Sequence, residues 1–219
     1  AQDVVAPTVT CTKAFALTVT AGFVYGAVEF LNNSNYLSRS TDLIGNTDGK
    51  KGLISFWFKI NGELPVSYQF FYHNNSDGIT VYRDFSSHKI TIVCRDSGGV
   101  IRLKLMTSTA YAISSLWHHA IISYDMAVAG ARHLYVDDAD ETNVTTFSNG
   151  LIDYTQFPHH ISFPPLYPVM GCLSEMYLNF VEYMDITIAS NRRKFDDGAS
   201  PLKPVSLGAT GSLPTGTAP

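Results

Sequence analysis

The sequence predicts an all-β protein: a sandwich of two antiparallel sheets, with one short C-terminal helix and an irregular tail. Three observations carry that expectation. Residues 116–125 alternate Trp117, His119, Ile121 and Ser123 on one face with His118, Ala120, Ile122 and Tyr124 on the other. That period of two, rich in aromatic and β-branched residues, suits a strand between two covered faces. A connection containing Gly130 then lets residues 133–138 turn back beside it. In residues 53–60, Ile54, Phe56, Phe58 and Ile60 share one fully apolar side, opposite Ser55, Trp57 and Lys59. Residues 89–95 and 100–105 form the clearest hairpin, joined across Asp96-Ser97-Gly98-Gly99.

The remaining elements follow in order. Residues 1–26 read as an N-terminal arm or entry strand, and 27–185 as the sandwich. Residues 186–219 read as a short helix (186–195) and a Gly/Pro-rich tail packing on the sandwich or a neighbour. Val28-Glu29-Phe30 enters a turn-rich Asn32-Asn33-Ser34-Asn35 cluster before Tyr36-Leu37. Residues 66–72 and 79–82 flank the Asn74-Asn75-Ser76-Asp77-Gly78 turn. Residues 153–163 precede a Pro-rich loop, and 171–180 form a cleanly alternating last strand.

Composition narrows the function. With 219 residues, 45% of them hydrophobic and 16% charged, the chain has enough apolar material for a sizeable core. Its formal charge of −4 gives no basic field to attract nucleic acid or anionic lipid. No apolar run approaches the roughly 20 residues that insert across a bilayer. Cys11, Cys94 and Cys172 show no metal-type spacing and read as free core thiols, as a reducing assembly compartment would leave them.

These runs, in order over residues 28–180, resemble the laminin-G-like branch of the concanavalin A-like lectin/glucanase superfamily. Val28-Glu29-Phe30 with Asn35-Tyr36-Leu37 is similar to the opening strand pair of that family, and Leu53-Ile54-Ser55-Phe56-Trp57-Phe58-Lys59 to its Trp-bearing strand. Trp117-His118-His119-Ala120 with Tyr124-Asp125, then Leu134-Tyr135-Val136-Asp137-Asp138, resemble the next two, and Gly171-Cys172-Leu173-Ser174-Glu175-Met176-Tyr177 the closing strand. The resemblance implies a jelly-roll, a fold that hosts many functions. Asn191-Arg192-Arg193-Lys194-Phe195, with the segment from Pro204 to Gly216, is similar to a stretch that follows such domains in structural proteins of tailed bacteriophages. Ser206 and Thr210 stand where that pattern usually has acids.

The superfamily includes glycosidases, whose retaining mechanism needs two carboxylates about 5 Å apart on one face. Glu175 has Tyr177 and Asn179 as same-face neighbours, and Glu182 and Asp185 are spaced onto opposite strand faces, so no enzyme is expected. His118 and His119 point to opposite faces and read as structural, one against the neighbouring sheet and one at a wet edge. His159-His160 reads as an exposed loop pair. The resemblance implies calcium at the sandwich rim, with Asp77, Asp125, Asp137, Asp138 and Asp140 as candidate ligands. The competing reading is that these acids serve their own turns. A glycan-binding face draws on Trp57, Tyr68, Tyr72 and Tyr82, unless helix and tail cover Trp57. Asn32, Asn74 and Asn143 head glycosylation acceptor patterns that are accidental in a bacterial virus.

Together these point to a non-enzymatic structural or adhesion protein of a phage particle, in the tail or decorating the capsid. It would be assembled in the host cytoplasm as a homo-oligomer, with rim loops or an exposed sheet face engaging either neighbouring virion subunits or a host-surface glycan. The alternative is a secreted carbohydrate-binding module with a rim calcium site.

Overall fold

Alternation becomes architecture in the computed structural model, which describes residues 27–30, 36–41, 47–73, 78–155, 158–162, 168–208 and 210–216. The expected arm at 1–26 with Cys11, the turn cluster at 32–35, and Asp77 with its turn lie outside these residues. One sheet has six strands in the order β1 (Ala27–Phe30), β13 (Gly171–Asn179), β3 (Lys51–Ile60), β8 (His118–Asp125), β9 (Arg132–Val136) and β10 (Ala139–Asp140). The other has seven: β11 (Asn143–Phe147), β7 (Ile101–Met106), β6 (Ile90–Arg95), β5 (Gly78–Arg83), β4 (Tyr68–His73), β12 (His159–Ile161) and β2 (Leu37–Arg39). All pairings are antiparallel, and the sheets stack as a jelly-roll β-sandwich.

Each sheet offers its apolar alternate positions to the other. Phe56, Phe58 and Ile60 of β3 and Ala120, Ile122 and Tyr124 of β8 meet Phe70, Ile79, Val81, Ile92, Cys94, Leu103 and Leu105. Phe56, Phe58 and Phe70 form an aromatic triangle with ring centroids 5.2–5.8 Å apart, each contact adding about 0.5–1.5 kcal/mol beyond the burial itself. Two polar groups cross this core hydrogen-bonded, with Arg83 Nη1 alone among their buried side-chain atoms left without a partner. Tyr124 and Tyr154 share a hydroxyl contact at 3.1 Å, and Tyr154 donates to the Lys51 carbonyl. Arg83 is fully buried, yet its Nε donates to the Tyr111 carbonyl and its guanidinium pairs with Glu63.

The six-stranded sheet is covered on both sides. Beyond β13 the chain returns across its outer face, where Met184, Ile186, Phe195 and Leu207 bury Leu53, Ile121, Tyr135 and Tyr177. This is why β3 and β8 are buried along nearly their whole length. Met184 N donates to Ser123 Oγ beneath it.

Three expectations change. The helix is a single turn, α1 (Ala189–Arg192), because Ile188 at its start caps no backbone donor and the Arg192 guanidinium binds the Ile186 and Thr187 carbonyls instead. His159 and His160 are not an exposed loop pair; both are buried and form β12. The sequence signal also misses β11, every residue of which is exposed, so no apolar alternation marks it.

Candidate functional site

The outer face of the seven-stranded sheet carries a groove. Ile79 and Val81 enter the core, so Thr80 and Tyr82 face outward; Ile92 and Cys94 do the same for Val93 and Arg95. A bulge between Gln69 and Phe71 sends both Phe70 and Phe71 inward and returns Tyr72 to the outside, opposite Thr80. Ser67, Gln69, Tyr72, Thr80, Tyr82, Val93 and Arg95 line a groove of about 240 Å³.

Its chemistry is incomplete in one respect. Gln69 is 8% exposed, and its Oε1 has no hydrogen-bond partner. A buried acceptor left unmade costs about 1–3 kcal/mol, and this oxygen is the one unsatisfied buried polar atom of the groove's described lining. Tyr82, half-buried, gives the groove a ring wall and a neutral phenol: burial and then the nearby Asp84 push it up, against a Thr91 hydrogen bond and the Arg95 charge. A second depression, of about 270 Å³, lies between Gly49, Lys50, Lys51 and Phe180. Its lysines are already engaged, Lys50 by Asn149 and Lys51 by Asp125.

The four candidate aromatics separate. Tyr68 is a correction: it is 0% exposed in the inter-sheet core, its hydroxyl held by Leu64 N and the Gly62 carbonyl, and it offers no face to a sugar. Trp57 is another. It lies on the outer side of β3, stacked on His119 at 4.8 Å and buried on the sheet face that the C-terminal segment covers. Tyr72 forms part of the groove lining, its ring stacked on His160 at 6.0 Å. Only Tyr82 presents a partly open ring there.

The described candidate acids do not fit calcium, which takes six to eight oxygen ligands. Asp77 lies outside the described residues. Asp125 is buried and caps Ala127 N, with Lys51 at 3.9 Å. Asp140 bonds Thr142 N. Asp137 and Asp138 both have positive φ in the two-residue β9–β10 turn. Asp137 accepts from His119 N and pairs with His118 Nδ1 at 2.6 Å. Asp138 is clamped by Arg192 and Arg193, whose positive charges repel a cation. Among the described residues no three His, Cys, Asp or Glu side chains converge on a point.

Under the C-terminal segment lies a constellation that residue spacing did not reveal. Ser55 Oγ sits 2.8 Å from His119 Nε2, and His119 Nδ1 lies 3.3 Å from Asp196 Oδ2. The order is that of a Ser-His-Asp triad, but the His119–Asp196 contact is an ion-pair approach that makes no hydrogen bond at Asp196 Oδ2, all three residues are only 1% exposed, and Trp57 stacks on the imidazole. A nucleophile sealed in this way has no space for a substrate. The network is a fastening instead. Asp196 also pairs with Arg193, and Arg192 lies over the Tyr135 ring at 4.5 Å. Burial pushes the Asp196 carboxyl up, but His119 and Arg193 outweigh it and hold it below the ordinary range. A carboxylate with a depressed folded-state pKa stabilises the fold above its unfolded value of about 3.9, and that stabilisation is lost as pH falls through the folded value. The stability difference between the wild type and Asp196→Asn is therefore expected to hold from pH 7 to pH 5 and to shrink below about pH 4. Urea melts at stepped pH measure it.

Of the cysteines, Cys94 and Cys172 are free and buried, and burial in the core pushes the Cys94 thiol up to about 12. Glu175 sits in a β13 bulge at φ 47°, where burial pushes its carboxyl up.

Comparison with known proteins places the fold. No protein-family model and no curated protein sequence matches the chain. Among solved structures, the chain is similar to mouse laminin alpha1 chain domains LG4-5, with 14% identity and a TM-score of 0.52 over 78% of this chain and 48% of that one. It is also similar to a mutant of the clostridial toxin domain HCR/D, with 13% identity and a TM-score of 0.56 over 81% of this chain and 46% of that one. A heptameric SAP-like pentraxin from Limulus polyphemus matches at 10% identity and a TM-score of 0.46, over 69% of this chain and 74% of that one. The chain spans about half the length of the laminin and toxin chains. At these identities the likeness to the laminin and toxin chains shows the fold alone, a laminin-G-like jelly-roll.

Proposed function

We propose that this protein is a non-enzymatic binding module that holds a saccharide in the groove on the outer face of its seven-stranded sheet. The observation that carries this reading is a groove that pairs the half-open Tyr82 ring with the Gln69 amide, whose buried carbonyl oxygen has no partner. Sugars present hydroxyl donors on one edge and C–H faces to aromatic rings on the other, and the groove complements both. None of its described lining residues is a carboxylate, whereas glycoside hydrolysis needs two. The groove is therefore suited to holding a sugar rather than cutting it.

The setting we propose is a tailed-phage particle, where many copies of the module, as a homo-oligomer, engage neighbouring subunits and a host-surface glycan. The support is the likeness of residues 191–195 and 204–216 to a segment of phage structural proteins. In this chain part of that segment is built into the domain. Phe195 and Leu207 seal the outer face of the six-stranded sheet, and Tyr177 contacts Thr215 through their hydroxyls. With that face occupied, we assign the ligand to the outer face of the seven-stranded sheet, which the described C-terminal segment leaves uncovered.

A glycan array probed with the wild type and with Tyr82→Ala tests the binding reading. The wild type is expected to bind a defined subset of saccharides. Tyr82→Ala is expected to weaken each about tenfold through lost ring contact, about 1.4 kcal/mol. Binding that survives the substitution unchanged refutes the placement in the groove.

A further inference from the structure

The charge of the seven-stranded sheet differs from that of the chain as a whole. The protein is acidic, at −4, yet none of the seven strands of this sheet carries an Asp or a Glu. They carry five Arg and Lys residues: Arg39, Arg83, Arg95, Arg102 and Lys104. Arg83 is buried against Glu63, Arg102 is paired with Asp96, and Arg39 donates to the Thr41 carbonyl. Arg95 and Lys104 are left. No described carboxylate lies within ion-pair distance of either, whereas Arg102, Arg192 and Arg193 each have one.

Both remaining cations belong to the groove side. Arg95 is one of its lining residues, two positions along β6 from Val93, and Lys104 is directly opposite Val93 on β7. Same-face diagonal neighbours across a strand pair sit about 7–8 Å apart at the backbone, within reach of long side chains. A half-buried guanidinium offers five donors in a planar fork that fits a carboxylate or a sulfate bidentately. In this groove it stands on the same face as the orphaned Gln69 acceptor, across β5.

We propose that the groove selects an acidic saccharide, with Arg95 pairing to its carboxylate or sulfate and Lys104 adding long-range attraction. The inference rests on the reading of this groove as a saccharide site. Gln69 accepts from a sugar hydroxyl, Tyr82 covers a ring face, and Arg95 fixes the charged substituent. A neutral saccharide leaves Arg95 without an anion and loses the charge-assisted bonds.

The test is an array carrying uronic-acid, sialylated and sulfated oligosaccharides beside neutral ones, probed at 50 mM and 300 mM salt with the wild type, Arg95→Gln and Tyr82→Ala. Thermal melts check that each variant is folded. The expected result is binding confined to acidic saccharides and weakened at high salt as exposed charges are screened. Arg95→Gln should lose tenfold or more on those spots. Which acidic spots survive identifies carboxylate or sulfate as the anion. If neutral saccharides bind as well as acidic ones, and Arg95→Gln changes nothing while Tyr82→Ala still weakens binding, the acidic preference is wrong and the saccharide groove stands. If no saccharide binds, both are wrong. A poly-aspartate peptide that binds as tightly as any acidic saccharide also overturns the proposal, because the groove then reads charge alone.

Discussion

Gly171→Ala is expected to cost at least about 3 kcal/mol of stability, or to leave no soluble protein at all. Gly171 opens β13 opposite Ile60 of β3, and a Cβ built there lies 1.9 Å from the Lys59 carbonyl oxygen. The obstacle is backbone in the middle of the six-stranded sheet, so no side-chain rotation relieves it. Either β13 moves away from β3, breaking the ladder that also anchors β1, or the register slips and every β13 side chain changes face. Equilibrium urea unfolding reads the loss. A stable, wild-type-like Ala variant contradicts the close approach of these two strands.

Asp196→Ala is expected to cost about 3–5 kcal/mol, the usual penalty for removing one partner of a buried ion pair. Asp196 is 1% exposed and joins His119 and Arg193, so its loss leaves a buried imidazole and a half-covered guanidinium without their anion. The effect has a location as well as a size. Asp196 fastens the C-terminal segment to β8, and the apolar seal of Phe195, Ile186 and Leu207 over Leu53 and Ile121 depends on that attachment. Limited proteolysis should therefore cut the variant first within 186–216, with the sandwich resistant at the same protease dose. Cleavage spread evenly over the chain contradicts the assigned role.

Much of the sandwich was legible in the sequence because its strands are amphipathic in the simplest way. In β3 and β8 the residues at every second position form the inter-sheet core, and the expected hairpin of β6 and β7 is present with its Asp96–Gly99 turn. Legibility failed where burial and alternation part company. β11 is wholly exposed and shows no pattern, while β3 is covered on both faces, so Trp57 looked like a surface aromatic until the C-terminal segment closed over it. Tyr68 and Tyr72 sit four apart with the same apparent facing, yet the bulge at Gln69–Phe71 puts them on opposite sides of the sheet.

The site was legible only in part. Tyr72 and Tyr82 stand out as aromatics, but Gln69, Thr80 and Arg95 gain meaning only once the register aligns them across β4, β5 and β6. The one compositional hint was the lack of acids in these strands. The Asp137-Asp138 pair looked like cation ligands because adjacent acids in a turn have that chemistry. Their true partners, His118, Arg192 and Arg193, come from 19 to 55 residues away. No local spacing encodes such contacts.

Amide chemical-shift mapping of isotopically labelled protein tests most directly whether a saccharide sits on the seven-stranded sheet. The oligosaccharide that binds most tightly on the array is titrated in. Shifts are expected at Gln69, Thr80, Tyr82, Val93 and Arg95, with the β9–β10 turn and the sandwich rim unmoved. Shifts concentrated at Asp137, Asp138 and Asp140, with the groove silent, would contradict that placement and return the ligand to the rim.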